Sequence, residues 1–182
     1  MPEVLSLALC LFTDAAALDF QGPLGLFGFL FPRGLEEGLL PAEPAFAIQP
    51  SYFAVSMDPV QADPSPSLNP TRTYDSVKPG EQFDIILIPG GTFLCVRFLL
   101  QRNGSILLGN GTLPGVTDDA VIQFIKTQAP GAKYVLSVCT GSELLARTGL
   151  LDGRRATTNK FSYNRIKVTF FFHTAKRGAH NL

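Results

Sequence analysis

The sequence predicts an α/β domain built on a doubly wound parallel sheet. Two short apolar runs, Phe83–Ile88 and Tyr134–Val138, have the length and continuous hydrophobicity of buried parallel strands. A third run, Val4–Phe12, predicts the first strand near the N-terminus. Helix-start signals come after the first and third of these runs in chain order, and strands that alternate with helices favour a parallel sheet covered by helices on both faces.

Local signals predict the remaining elements in chain order. Pro23 suits the first turn of a helix, the proline- and glycine-rich segment Pro32–Pro50 breaks regular structure, and Gly149 is a helix stop. Asp58–Pro79, with five prolines, reads mainly as a long loop. The predicted elements are helix Gly22–Leu30, strand Tyr52–Met57, a short strand at Thr71–Tyr74, helix Thr117–Gln128 and helix Gly141–Thr148.

Composition excludes several classes of function. The 182 residues suffice for one domain with a sizeable core. Fifteen basic and fifteen acidic residues give zero net charge, so no nucleic-acid partner is predicted. Three cysteines are too few and too scattered for a disulfide framework or a zinc site. Glu3 stands where a signal peptide needs positive charge, and no apolar run is long enough for a bilayer, so a cytoplasmic location without membrane contact is expected.

Cys139 is the strongest candidate for a reactive residue. It follows the predicted strand Tyr134–Val138 directly, and Thr140–Glu143 has the T-x-x-E form of a capping box with Thr140 as N-cap. A strand, a cysteine and a helix with almost no linker is the pattern of a nucleophile elbow. The helix start favours the thiolate, which is the reactive form of cysteine. The alternative is a small buried apolar residue, the usual role of a free cysteine.

Two further segments reach the edge of the sheet where ligands bind, at the carboxyl ends of the strands. Gly90 and Gly91 follow the strand Phe83–Ile88, and without side chains they allow backbone N–H groups to approach an oxyanion or an anionic ligand. A plain turn is the alternative for this pair. Asp19 lies in the loop after the first strand, and the residues alone explain it equally well as an acid that stabilises a helix start.

Five motifs in the right order resemble those of the ThiJ/PfpI superfamily, which is related to class I glutamine amidotransferase domains. They are Leu18–Pro23 (LDFQGP), Phe83–Gly91 (FDIILIPGG), Ser137–Gly141 (SVCTG), Gly149–Gly153 (GLLDG) and Arg155–Thr158 (RATT). The chain looks most similar to the isonitrile (isocyanide) hydratase branch, of the fungal type. This resemblance covers residues 4–91 and 111–160, and it implies a flavodoxin-like sheet.

The resemblance implies a cofactor-independent hydro-lyase. The Cys139 thiolate would attack the terminal carbon of an isonitrile, and Asp19 would act as its acid–base partner, protonating the adduct and then helping water to attack. The product would be an N-substituted formamide, formed without a metal or an organic cofactor. Thr140 would hold the helix start and contact the substrate, with Gly90 and Gly91 as the oxyanion site. A homodimer that takes a small-molecule substrate is implied in the same way.

One difference from the family's motifs disfavours some of the reactions that a cysteine elbow could catalyse. Some superfamily members have a histidine after the Ala-Thr-Thr motif, where this chain has Asn159. The two histidines, His173 and His180, lie in the unmatched tail, so a Cys-His peptidase or amidotransferase is disfavoured. A glyoxalase-like or deglycase-like enzyme acting on small carbonyl compounds remains open, as does a redox-sensing or degenerate protein. A transcription regulator is disfavoured, because the chain has no room for a following helix-turn-helix domain.

The predicted domain organisation contains two anomalies. Residues 1–160 form the ThiJ/PfpI-like domain, with an atypical insert at 92–110, and residues 161–182 form an unmatched tail. Superfamily members continue with further strands and a last helix, so the domain is interpreted as truncated at its C-terminus. Our hypothesis is that both segments are translated intron sequence or frameshifted product, and lineage-specific divergence is the alternative.

Overall fold

The structure, a computed structural model, describes residues 2–38, 40–91, 118–164 and 173–174. In chain order, its strands are β1 (Glu3–Cys10), β2 (Ala15–Ala16), β3 (Phe46–Ala54), β4 (Ala62–Asp63), β5 (Arg72–Thr73), β6 (Ile85–Ile88), β7 (Tyr134–Ser137), β8 (Arg155–Ala156) and β9 (His173–Thr174). Five of them form a wholly parallel sheet in the order β5-β3-β1-β6-β7. Two small parallel pairs, β2-β4 and β8-β9, lie outside it. The predicted fold class, a mixed α/β fold with a parallel central sheet, is confirmed.

Helices cover both faces of this sheet. They are α1 (Ala17–Phe27), α2 (Pro32–Glu36), α3 (Asp118–Gln128) and α4 (Gly141–Arg147). Alternate residues of each strand point to opposite faces, and the two buried clusters follow that alternation. One face packs α3 and α4 against Ala8, Cys10, Ile86 and Ile88. The other face packs α1 against Leu7, Leu9, Ile85 and Leu87.

Helix α1 begins earlier than the sequence predicts. The prediction Gly22–Leu30 rested on Pro23 as a first-turn residue, but Pro23 lies inside the helix. Ala17 and Phe20 are both buried in the core, so burial of this turn outweighs the local preference of proline for a helix start. As a result, Asp19 belongs to the first turn of α1 and not to the preceding loop.

Strand β3 corrects a second prediction. The segment Pro32–Pro50 was expected to break regular structure, with a strand only from Tyr52, yet β3 runs from Phe46 through Pro50 in register with β1. Its partner on the other side, β5, pairs only with Phe53 and Ala54. Pro50 therefore lies where one side of β3 has no neighbour in the described sheet, a position at which strands tolerate proline.

The elbow strand β7 is parallel, as predicted, but it is not buried. Within the described residues it forms the edge of the sheet, and Tyr134 is 55% exposed. Several predicted features lie outside the described residues, among them the insert 92–110 with Cys95, the start of the helix at Thr117 and most of the tail 161–182. A search of the described helices finds none whose length and hydropathy would let it cross a bilayer.

Candidate active site

The turn between β7 and α4 presents Cys139 to solvent. The strand ends at Ser137 and the helix begins at Gly141, and Cys139 between them has a φ of 54°. Few residues other than glycine adopt a positive φ, and those that do cluster at functional sites. The side chain is exposed. This is the sharp strand-to-helix turn of a nucleophile elbow.

Gly141 allows the elbow to approach the end of β6. A Cβ at this position would contact the carbonyl oxygen of Ile88 and would lie 2.8 Å from the carbonyl oxygen of Pro89. The Gly141 N–H donates to the carbonyl of Val138 at 2.9 Å, and the Val138 N–H donates to Ile88 at 3.0 Å. The turn is therefore packed on backbone atoms that leave no space for a methyl group.

Two hydroxyl groups hold the carbonyl of Cys139. Thr158 Oγ1 donates to this oxygen at 3.2 Å, and Ser142 Oγ lies 3.1 Å from it. Ser142 in turn donates its hydroxyl to Thr158 Oγ1 at 2.7 Å. Hydrogen bonds to the carbonyl fix the peptide plane that follows the strained residue, so the direction of the Cys139 side chain is set by its surroundings.

The predicted capping box is not formed. Thr140 does occupy the N-cap position of α4, but its side chain is fully buried and turns to Gly91 instead, whose N–H donates to Thr140 Oγ1 at 3.0 Å. Glu143 accepts a hydrogen bond from Arg147 at 2.9 Å, one turn further along the helix. Thr140 thus joins the elbow to the end of β6, because that partner competes successfully with the local cap.

Asp19 and Thr140 meet at Gly90. The Gly90 N–H donates to Asp19 Oδ2 at 3.0 Å. The position that a Cβ of Gly90 would occupy lies 2.7 Å from Asp19 Oδ2 and 2.7 Å from Thr140 Oγ1. Any side chain at residue 90 would therefore separate these two groups. Three segments distant in sequence, the first turn of α1, the end of β6 and the elbow, converge at one edge of the sheet.

The N–H groups of Gly90 and Gly91 are both used inside the protein. Each donates to one of the other predicted site residues, Gly90 to Asp19 and Gly91 to Thr140. In this arrangement they orient those two side chains. Their predicted role as direct donors to an oxyanion stays a prediction.

Asn159 is a site residue that sequence reasoning missed. Its Nδ2 lies 2.9 Å from Cys139 Sγ, and its Oδ1 accepts a hydrogen bond from the Ser162 N–H at 2.7 Å. The available signal was its place directly after the Ala-Thr-Thr motif, which we interpreted only as the absence of a histidine. The contact makes Asn159 a partner of the sulfur.

The other described cysteine is not part of this site. Cys10 is completely buried at the end of β1, and burial raises the pKa of its thiol. Across the described ranges, no three histidine, cysteine, aspartate or glutamate side chains are grouped as metal ligands would be.

Comparison with known proteins agrees with this geometry. The model of the DJ-1/PfpI family matches residues 106–170, a range that includes the elbow, Asn159 and ten residues of the tail. The isonitrile hydratase of Pseudomonas putida is 30% identical over 155 residues, covering 85% of this chain and 52% of that protein. The chain is therefore similar to the DJ-1/PfpI family over residues 106–170 and to this isonitrile hydratase over about half of that protein's length.

Solved structures extend the fold comparison. A ThiJ/PfpI family protein from Pseudomonas syringae has a TM-score of 0.60 at 22% identity, covering 86% of this chain and 51% of that one. A putative transcriptional regulator from Vibrio parahaemolyticus reaches 0.64 at 14% identity, covering 96% of this chain and 78% of that one. At such identities the likeness to DJ-1/PfpI structures concerns the fold. The chain spans about half the length of the curated relatives that it matches.

Proposed function

We propose that this protein is an isonitrile hydratase-like enzyme, which adds water to an isonitrile through the Cys139 thiolate and releases an N-substituted formamide. The observation that carries the proposal is the convergence of Asp19 and Thr140 on Gly90, next to the elbow that presents Cys139. The similarity to the Pseudomonas putida isonitrile hydratase supports this substrate class over others that a cysteine elbow could serve.

The proposed reaction conserves atoms and charge. Asp19, as general acid, gives its proton to the terminal isonitrile carbon, and the Cys139 sulfur forms a bond to the same carbon. The product of this step is a thioimidate, R–N=CH–S–enzyme. Water then adds its oxygen to the carbon while one of its protons goes to the nitrogen. The C–S bond breaks to regenerate the thiolate, and the remaining hydroxyl proton returns to Asp19 as the formamide leaves.

The elbow supports this chemistry because it keeps the sulfur accessible and fixed. A nucleophile held by its surroundings reaches the reacting carbon without first losing conformational freedom. The Gly90 N–H holds one oxygen of Asp19 in place, so the carboxyl group faces the space shared with Thr140. The Thr140 hydroxyl lines the same space and would contact the substrate.

The test is the hydration of a small alkyl isonitrile by the purified protein. Loss of the N≡C stretch in the infrared, with formamide appearing by NMR, is the expected result. Cys139→Ala should abolish turnover, whereas Cys10→Ala should leave turnover per folded molecule unchanged, because Cys10 is buried away from the site. A folded protein that converts no isonitrile, but converts a small dicarbonyl compound through Cys139, would reject the hydratase in favour of a glyoxalase-like activity.

Asp19→Asn tests the acid–base role. The amide oxygen can still accept from Gly90, but the side chain cannot deliver a proton, so kcat/KM should fall by roughly 10²–10⁴-fold. The matched control is Asp14→Asn, near the same edge of the sheet. Asp14 has a φ of 63°, a conformation that asparagine adopts readily, so this variant should fold and turn over normally. Equal rates for the two variants would leave Asp19 as a structural acid at the start of α1.

A further inference from the structure

The contact between Asn159 and Cys139 has a defined direction. The two ends of an asparagine side chain are distinguished by their hydrogen-bond partners, because the amide oxygen only accepts and the NH₂ group donates. The Ser162 backbone N–H can only donate, so the atom 2.7 Å from it must be the amide oxygen. The NH₂ group of Asn159 therefore faces Cys139 Sγ, at 2.9 Å, and the sulfur is the acceptor.

One short segment grips Cys139 at two points. Thr158 donates its hydroxyl to the Cys139 carbonyl at 3.2 Å, and the next residue, Asn159, reaches the sulfur. Ser162, which is buried, holds this segment in place because its backbone N–H donates to Asn159 Oδ1. Carbonyl and sulfur of one residue are thus held by neighbouring side chains, so the position of the sulfur depends on the whole segment 158–162.

We infer that Asn159 is a positioning residue that orients the Cys139 sulfur and donates a hydrogen bond to it when it reacts as a thiolate. A hydrogen bond to an anion is stronger than the same bond to a neutral group, so an amide donor favours the charged form of the sulfur. An amide, unlike an imidazole, does not take up a proton at neutral pH. Asn159 therefore donates a hydrogen bond to the sulfur but takes no part in proton transfer. The assignment of proton transfer to Asp19 rests on the proposed function.

The test uses alkylation of Cys139, which needs no isonitrile. Iodoacetamide labelling at neutral pH, followed by mass spectrometry of the Cys139 peptide, reports the reactivity of the sulfur in the intact protein. Asn159→Asp keeps the shape of the side chain but puts a carboxylate beside the sulfur. We expect labelling to slow by about three- to tenfold, since the thiolate population falls while its intrinsic nucleophilicity rises in part.

Two further variants separate positioning from simple structural support. Asn164→Asp makes the same chemical change five residues away on an exposed side chain and should label at the wild-type rate. Asn159→His restores an N–H donor and should label at least as fast as the wild type. The ultraviolet absorbance of the thiolate should fall in Asn159→Asp and remain in Asn164→Asp.

Equal labelling of Asn159→Asp and Asn164→Asp would overturn the inference. Faster labelling of Asn159→Asp would also overturn it, because Asn159 would then only shield the sulfur. Failure of the proposed function looks different: the labelling differences persist while no variant, nor the wild type, hydrates an isonitrile.

Discussion

Two strand-to-helix connections at the same edge of the sheet each have a cysteine at or near the end of the strand, and the two cysteines differ in exposure to solvent. After β1, six residues separate the strand that ends at Cys10 from α1, which begins at Ala17. After β7, only three residues separate Ser137 from Gly141. Cys10 is completely buried, whereas Cys139 is exposed.

The difference shows that the turn determines reactivity, and that a place at the end of a parallel strand is not enough. Cys10 continues the pleat of a central strand, so its side chain points into the packed layer between sheet and helices. Cys139 adopts a positive φ in a turn too tight to continue the strand. The longer connection after β1 has another use: it carries the chain to the first turn of α1, where Asp19 faces Gly90.

The first prediction measures this difference directly. In the native protein, iodoacetamide should modify Cys139 at least about a thousandfold faster than Cys10, because Cys10 reacts only in molecules that have opened and folding free energies are ~5–15 kcal/mol. Burial also raises the pKa of Cys10, which further lowers its thiolate population. Quantification of both peptides by mass spectrometry gives the ratio.

Unfolding provides the control for that ratio. In concentrated guanidinium chloride the two sites should label at similar rates, since both thiols are then in water. Native labelling of Cys10 at a rate close to that of Cys139 would mean that the contrast between the two connections does not exist in solution.

The second prediction compares a glycine at the elbow with a glycine inside α1, the helix that follows the other connection. Gly141→Ala places a methyl group against the carbonyls of Ile88 and Pro89, and backbone atoms cannot move aside cheaply. We expect a loss of about 1–3 kcal/mol in the free energy of unfolding, as for other overpacked sites. Gly25→Ala, in α1, meets nothing within 4 Å and should stabilise the protein by about 0.5–1 kcal/mol. Thermal or urea unfolding of the two variants gives both values.

Opposite signs for these two alanine variants are the informative outcome. If Gly141→Ala were as stable as Gly25→Ala, the elbow would have room to relax. The close packing of α4 on the end of β6 would then not explain the sharpness of the turn.

The sequence predicts β1, β6, β7 and the start of α4 at Gly141 better than it predicts the bounds of α1 and β3 and the contacts of the site. Apolar runs indicate where β1 and β6 lie, because burial of a parallel strand leaves a direct trace in composition. The run at β7 also marks a strand, although this strand lies at the edge of the described sheet. The predictions that rested on prolines were wrong. Pro23 lies inside α1 because burial of the first turn outweighs the preference of proline for a helix start, and Pro50 lies inside β3 because one side of that strand has no neighbour there in the described sheet. Tertiary context of this kind leaves no local signal.

At the candidate site, the placement of residues was more predictable than their partners. The motifs indicated that Cys139, Thr140 and Gly90 would lie at one edge, and topology brings them there. The capping box failed because the Thr140 hydroxyl bonds Gly91, a partner 49 residues away in sequence. Asn159 could not be assigned because its contact with the sulfur depends on how the chain returns after β8.

The last and smallest effect concerns the pH dependence that burial gives to Cys10. Its pKa is raised by burial above the ordinary value of 9.0, so above that pH the unfolded chain releases the thiol proton while the folded protein retains it. The contribution of Cys10 to the free energy of unfolding is therefore fully present below pH 9. It declines as the pH rises, by at most about 1.4 kcal/mol per pH unit. Burial also raises the pKa of Tyr74 above its ordinary value of 10.0, so the loss of stability that Tyr74 causes begins at higher pH than the loss from Cys10. Urea unfolding between pH 9 and 10 should show a steeper decline for wild type than for Cys10→Ala. Parallel curves would mean that Cys10 ionises as readily in the folded protein as in the unfolded chain, and the two strand ends would then differ in access alone.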